Sequence, residues 1–431
     1  MRATAEERSE PERFVGWWIV AGAFTIYFVG GGLFNTATVY FKAVAAELGL
    51  NRGQLSGAFS LGFLVAGLSA PLWGRIADRR GPRAAFLPGV LLTGVLCMLL
   101  GRIWDLASLY VFYLLFTLGT AGISLIPVSV VVSNWFEKKR GRAMGLAYMG
   151  EGFGALVMTP VSALLIASVG WRFAYVLSGL AVLVVLTPVV FFMRNRPQDL
   201  GLWPDGAEQP LAGGGGENGD TAEHGGSRGF SRAEAMSTAA FWLVAVTWMV
   251  AMMPLVAVTL HQVPFMTDLG MSMRSAALVA GAVGGMGMVG RVGFGLLSER
   301  YPVWAIYACC YLMMALGIAL LWSTSEFGMI GLPLYVAFFG IAVGGAFALA
   351  GLLVADLFGV RAMGEIFGLL GLVATVGGAV GGTGAGLVFD RMGDYDPVFA
   401  ICIALSLLAT MLMLFVRRPT FMKPSIPFPE R

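Results

Sequence analysis

Twelve stretches of this chain stay apolar for roughly the 20 residues that a helix needs to cross a bilayer. They fall at 17–41, 54–77, 84–101, 107–133, 143–168, 172–193, 240–265, 275–297, 303–324, 329–354, 363–389 and 397–416. Inside a bilayer the backbone has no water to bond, so only helices and closed barrels span it. The stretches lack the period-2 alternation of barrel strands, so they read as helices. The fold class is therefore an all-α membrane protein. Composition agrees: 58% of the 431 residues are hydrophobic and 12% charged, against about 25% charged in a soluble domain.

Lysine and arginine set the orientation, because they are retained on the cytoplasmic side. With the N-terminus inside, the termini and alternate loops hold 21 of the 28, counting Arg75 with the loop after the second span, and the other loops hold 6. Both termini are thus expected in the cytoplasm and the protein in the inner membrane of the cell. Met1–Arg13 is charged and has no apolar signal core, so the first span is expected to direct insertion. A net charge of +3 is too small to suggest nucleic-acid binding. Cys97, Cys309, Cys310 and Cys402 lie in apolar stretches without metal-ligand spacing, so no metal and no cofactor are expected.

One long interruption, 194–238, carries Gly213–Gly216, Gly225–Gly226 and several acidic residues. It reads as a flexible cytoplasmic linker rather than a domain. It divides the chain into 1–193 and 239–431, six spans each. The halves echo one another. Gly74-Arg-Ile-Ala-Asp78-Arg79 returns 221 residues on as Gly295-Leu-Leu-Ser-Glu299-Arg300, and Arg142-Ala-Met-Gly145 returns 219 residues on as Arg361-Ala-Met-Gly364. Both pairs sit at equivalent connections of their halves, which points to two duplicated six-helix bundles. A site between two such bundles suits alternating access, in which one rocks against the other.

Gly74-Arg-Ile-Ala-Asp78-Arg79-Arg80-Gly81-Pro82-Arg83 resembles the signature of the major facilitator superfamily. Gly81 permits a tight turn, and Asp78 can accept hydrogen bonds from a neighbouring helix N-terminus or an arginine. The resemblance implies twelve helices in two six-helix bundles related by a pseudo-twofold axis. It also implies a gating cluster of Gly74, Asp78, Arg79, Gly81, Arg83 and Arg142 that latches the outward-facing state. Within the superfamily the chain resembles the monocarboxylate transporter and oxalate/formate antiporter branch. The residues that carry this are Gly16-Trp17-Trp18, the run from Trp135 to Gly154, the run from Arg196 to Gly206, and the run from His261 to Gly270.

Arg291 is the one cation placed deep within a span, in Val279–Leu297. A charge there costs several kcal/mol by most estimates, so it is rarely kept without a use. Its natural partner is a carboxylate, of the protein or of a substrate. The resemblance implies that this arginine of the eighth helix binds the substrate carboxylate. Gly284 and Gly287 precede it on the same helical face and are expected to leave room for a ligand. The branch's animal members carry an aspartate where this chain has Gly287 and a first-helix lysine where it has Asn35, so a lysine-relayed proton is not supported. Asn35 and Tyr148 are then candidate substrate contacts. Glu151, near mid-membrane in the fifth span and three residues from Tyr148, should be protonated or paired, with Arg291 a plausible partner. His261 and Asp268, seven residues apart, are the alternative proton-coupling candidates.

The sequence reads best as a secondary transporter of a small organic monocarboxylate, lactate- or pyruvate-like, with proton symport. Organic anion exchange, as in oxalate/formate antiport, and export of a larger organic acid are the alternatives. The chain carries no phosphate loop and no nucleophile with paired carboxylates, so it is not expected to be an enzyme. The expected partners are the carboxylate, protons and the lipid bilayer, with a monomer as the working form.

Overall fold

The computed structural model describes residues 15–50, 52–206 and 229–419. Fourteen α-helices follow in order: α1 (Gly16–Leu48), α2 (Arg52–Arg80), α3 (Pro82–Leu100), α4 (Leu106–Ala121), α5 (Leu125–Trp135), α6 (Arg140–Phe192), α7 (Arg232–Met236), α8 (Ala239–Asp268), α9 (Met273–Leu297), α10 (Val303–Trp322), α11 (Thr324–Phe327), α12 (Leu332–Phe358), α13 (Met363–Met392) and α14 (Asp396–Leu414). Every expected span finds a helix, but one of them is interrupted. The fourth span, expected as one helix over 107–133, is broken into α4 and α5. Pro127 sits in the first turn of α5, where its missing N–H and fixed φ are tolerated. The fifth and sixth spans are two helical limbs, as expected, written together as α6 and separated by a kink at Gly170 with φ 78° and ψ 158°.

The same pairings recur in both halves. The first span packs on the fifth (α1 on α6), as the seventh packs on the eleventh (α8 on α13). The second packs on the fourth, as the eighth packs on the tenth (α9 on α12). The third packs on the sixth, as the ninth packs on the twelfth (α10 on α14). The halves meet through two more equivalent pairs, α2 with α13 and α6 with α9. The molecule is thus two six-helix bundles related by a pseudo-twofold axis, as the internal repeat implied.

The basic loops gather at one end of the bundles, and there the halves are fastened together. Asp78 at the end of α2 accepts the backbone N–H groups of Gly364 and Glu365, both at 2.8 Å, and so caps α13. A carboxylate is favoured at a helix N-terminus by the unpaired N–H groups and the helix dipole. Glu299, just beyond α9, makes the equivalent bond to α6. It accepts the Arg142 backbone N–H at 3.2 Å and the Arg142 guanidinium at 2.6–3.1 Å. Gly81 takes φ 85° at the turn into α3, as its place in the motif requires. Arg79 is exposed, while Arg83 lies over the Phe191 ring and its backbone N–H bonds Asn195. Towards the other end the halves diverge, and Gly281, Gly284 and Gly285 of α9 face open space.

The described flanks of the 194–238 linker pack on the two symmetry-related loops. Asp205 accepts the backbone N–H groups of Glu137, Lys138 and Lys139, just before α6, at 2.6–3.2 Å. On the other side the Phe230 N–H donates to the Phe358 carbonyl at 2.8 Å, and Arg232 pairs with Glu365 at 3.2 Å, just before and within the first turn of α13. The glycine runs 213–216 and 225–226 lie outside the described residues.

Candidate functional site

Arg291 lies on α9, two turns from its end, where α9 crosses the first limb of α6. The helices come close because Gly145 and Gly295 present no side chain at the crossing. Arg291 is 8% exposed, and its Nη2 donates to Glu151 Oε2 at 2.7 Å. Glu151 is reached from α6, so the ion pair bridges the two halves. The expectation that Glu151 pairs with Arg291 thus matches the geometry. Two unpaired charges at this depth would each carry a desolvation cost of several kcal/mol, and pairing offsets part of it.

A third residue completes the cluster, one that neither charge nor motif marks. Tyr27 of α1 donates its hydroxyl to the same Glu151 Oε2 at 3.1 Å. Tyr27, Gly31 and Asn35 are spaced by four and form one stripe of α1. Glu151 lies flat against that stripe, since a Cβ added at Gly31 would meet its Cγ at 2.5 Å. The tyrosine is one of eleven, and only the packing of α1 on α6 marks it. The stripe spacing was the available signal, read from the Asn35 position back toward the N-terminus.

Asn35 is exposed, one turn beyond Gly31, and its amide donates to the Gly31 carbonyl at 2.8 Å. Tyr148 is fully buried and packs edge-on against Tyr27, with centroids 5.9 Å apart. The Ser129 hydroxyl donates to the Leu125 carbonyl, so the Tyr148 hydroxyl is the donor in its 2.5 Å bond to Ser129. That bond directs the Tyr148 hydroxyl to α5. Gly287 also departs from expectation. It lies beside α12, where a Cβ added at Gly287 would meet the Gly340 carbonyl oxygen at 3.5 Å and the Gly344 Cα at 3.9 Å, while Gly284 faces open space.

His261 stands apart from this cluster. Its ring nitrogens face the Tyr395 hydroxyl at 3.2 Å and the Gly382 carbonyl at 3.5 Å, tying α8 to α13 and to the start of α14. Asp268 is exposed at the last residue of α8, and no bond joins it to His261 among the described residues. Among the described residues no group of three or more His, Cys, Asp or Glu is placed to hold a metal.

The Arg291 cluster offers a carboxylate ligand two things, both from the arginine. The arginine supplies a fixed positive charge. Its Nε is buried without a hydrogen-bond partner. The Glu151 side chain is 28% exposed.

Comparison with known proteins bears on this arrangement. The family model described as Major Facilitator Superfamily matches residues 21–306 and 256–431. Monocarboxylate transporter 13 of Bos taurus is 25% identical over 91% of this chain and 87% of its own length. The oxalate:formate antiporter of Oxalobacter formigenes is 22% identical over 93% of this chain and 91% of its own. The crystal structure of the E. coli fucose:proton symporter superposes with a TM-score of 0.68 at 15% identity, covering 93% of this chain and 98% of that one. That structural likeness carries the fold alone.

Proposed function

This chain belongs to the Major Facilitator Superfamily, and from that premise we propose that it carries a small organic monocarboxylate with a proton by alternating access. It is a multi-pass membrane transporter, not an enzyme, and it is related to monocarboxylate transporters and an oxalate:formate antiporter. The observation that carries the finer reading is the pair of Arg291 with Glu151 at 2.7 Å across the two halves. A guanidinium is a fixed positive charge, so the partner of Arg291 decides the net charge of the site. A proton taken up by Glu151 would release the guanidinium, and the substrate carboxylate would replace it. Loaded with both, the site is neutral again, and closing the bilayer-facing bundles around it avoids burying a bare charge. The protein then sits in the inner membrane as a monomer, with both termini in the cytoplasm.

The test is uptake of pyruvate, lactate and formate by purified protein in proteoliposomes. Arg291→Ala is expected to abolish uptake of whichever acid the native protein takes up. Glu151→Gln is expected to retain acid binding and exchange and to lose stimulation by an inward proton gradient. Undiminished uptake by Arg291→Ala overturns the site. The similarity to an oxalate:formate antiporter supports a second reading, anion exchange. Counterflow that runs equally with and without a pH gradient would favour exchange over symport.

A further inference from the structure

A free guanidinium and a free carboxylate meet fork to fork, through two parallel hydrogen bonds. The pair in this molecule makes one. Glu151 Oε2 receives both donors, Arg291 Nη2 at 2.7 Å and the Tyr27 hydroxyl at 3.1 Å. Glu151 Oε1 receives no hydrogen bond among the described residues, and the buried Arg291 Nε–H meets no acceptor among them. The two atoms that would close the second bond of the fork are thus both unused.

We propose that Tyr27 is the positioning residue that keeps this ion pair single-pronged. It reserves Arg291 Nε for the substrate carboxylate and Glu151 Oε1 for the proton. The inference rests on the carboxylate-transport reading above. Tyr27 is suited to the task because it is itself held. It is 7% exposed, and its ring lies against the edge of Tyr148, whose hydroxyl is fixed on Ser129. Gly31, one turn on, presses α1 against the Glu151 side chain and limits its swing. The polar groups that bond Glu151 are Arg291 from α9 and Tyr27 from α1. Of these, only the Tyr27 hydroxyl draws Oε2 away from a symmetric approach to the guanidinium. Without that hydroxyl the carboxylate turns and makes the second bond to Nε. Glu151 then competes with the substrate at both positions.

The experiment is a double-mutant comparison in proteoliposomes, with pyruvate as the probe and an inward proton gradient. Tyr27→Phe keeps the ring and its packing, and gel filtration of the purified variant checks that it folds. Its KM for pyruvate is expected to rise about ten-fold, with kcat within about two-fold of native. A factor of ten is about 1.4 kcal/mol, which is within the range of one hydrogen bond to a charged group. In a Glu151→Gln background the same substitution should leave KM within about two-fold, because a neutral amide does not compete for the arginine. A merely structural role would raise KM equally in both backgrounds, and that result overturns the proposal. So does an unchanged KM in Tyr27→Phe. If that failure comes while Arg291→Ala has lost uptake, the carboxylate site stands and only the role of Tyr27 falls. Uptake that survives Arg291→Ala removes both.

Discussion

Glu151 and Arg291 show how a costly residue becomes legible. Each is a lone charge in an apolar span, and burying it unpaired costs several kcal/mol. Pattern alone therefore marks both as needing partners, and the model makes them partners of each other. Tyr27 leaves no such mark. A tyrosine is at home in a membrane helix, and its role depends on a contact 124 residues away in the chain. Tyr148 shows the converse. Its spacing from Glu151 places it on the right face of the helix, but periodicity cannot say that Ser129 of another helix takes its hydroxyl. Tyr148→Phe should therefore lower stability by about 1 kcal/mol, the value of one lost hydrogen bond, and move the KM for the transported acid less than two-fold. Thermal unfolding in detergent and uptake kinetics check the two halves of that statement, and a large rise in KM would return Tyr148 to the site. His261 and Asp268 were paired by spacing alone, and the helix that carries them points the imidazole to Tyr395 instead.

At the scale of elements, hydropathy located the spans because the bilayer demands length and apolarity and little else. It separated the two limbs of α6 at Gly170 but could not show the break between α4 and α5, which lies inside an apolar run. Contacts between halves leave even less trace in the sequence, with one exception. Gly74 and Gly364 belong to the two repeated motifs, and they face each other where α2 crosses α13. A Cβ added at Gly364 would meet the Gly74 carbonyl oxygen at 2.6 Å and its Cα at 2.8 Å. Both neighbours are backbone, so neither can move aside without shifting a helix. Gly364→Val should therefore hold α2 and α13 apart at the basic end and disfavour the arrangement seen here. Cysteines placed on either side of that crossing would be labelled by a thiol reagent faster than in the native background. Equal labelling rates would show that the crossing tolerates the added side chain.

On the scale of the whole molecule, the two bundles are locked by symmetry-related bonds. Asp78 of one half caps α13 of the other, and Glu299 of the second half caps α6 of the first. Asp78 and Glu299 occupy matching positions of the repeat, so each half carries one acid and one helix N-terminus, exchanged across the interface. The linker flanks grip the same two loops, through Asp205 before α6 and through Phe230 and Arg232 at the start of α13. Such an arrangement makes closure at the basic end a sum of two similar terms. A hydrogen bond to a charged group contributes about 1.5–3 kcal/mol, and about 1.4 kcal/mol moves a two-state equilibrium ten-fold. Asp78→Asn and Glu299→Gln should each shift the balance away from basic-end closure by about ten-fold. The latches lie on different helix pairs and share no partner, so together they should shift it about a hundred-fold. Electron–electron resonance between spin labels at the far ends of α1 and α8 reads this directly, since those ends approach as the basic end opens. The single variants should each add a population at short distance, and the double variant should make it dominant. A double variant no different from either single one would mean that one latch alone sets the equilibrium, and the symmetry of the bonds would then be structural without being energetic.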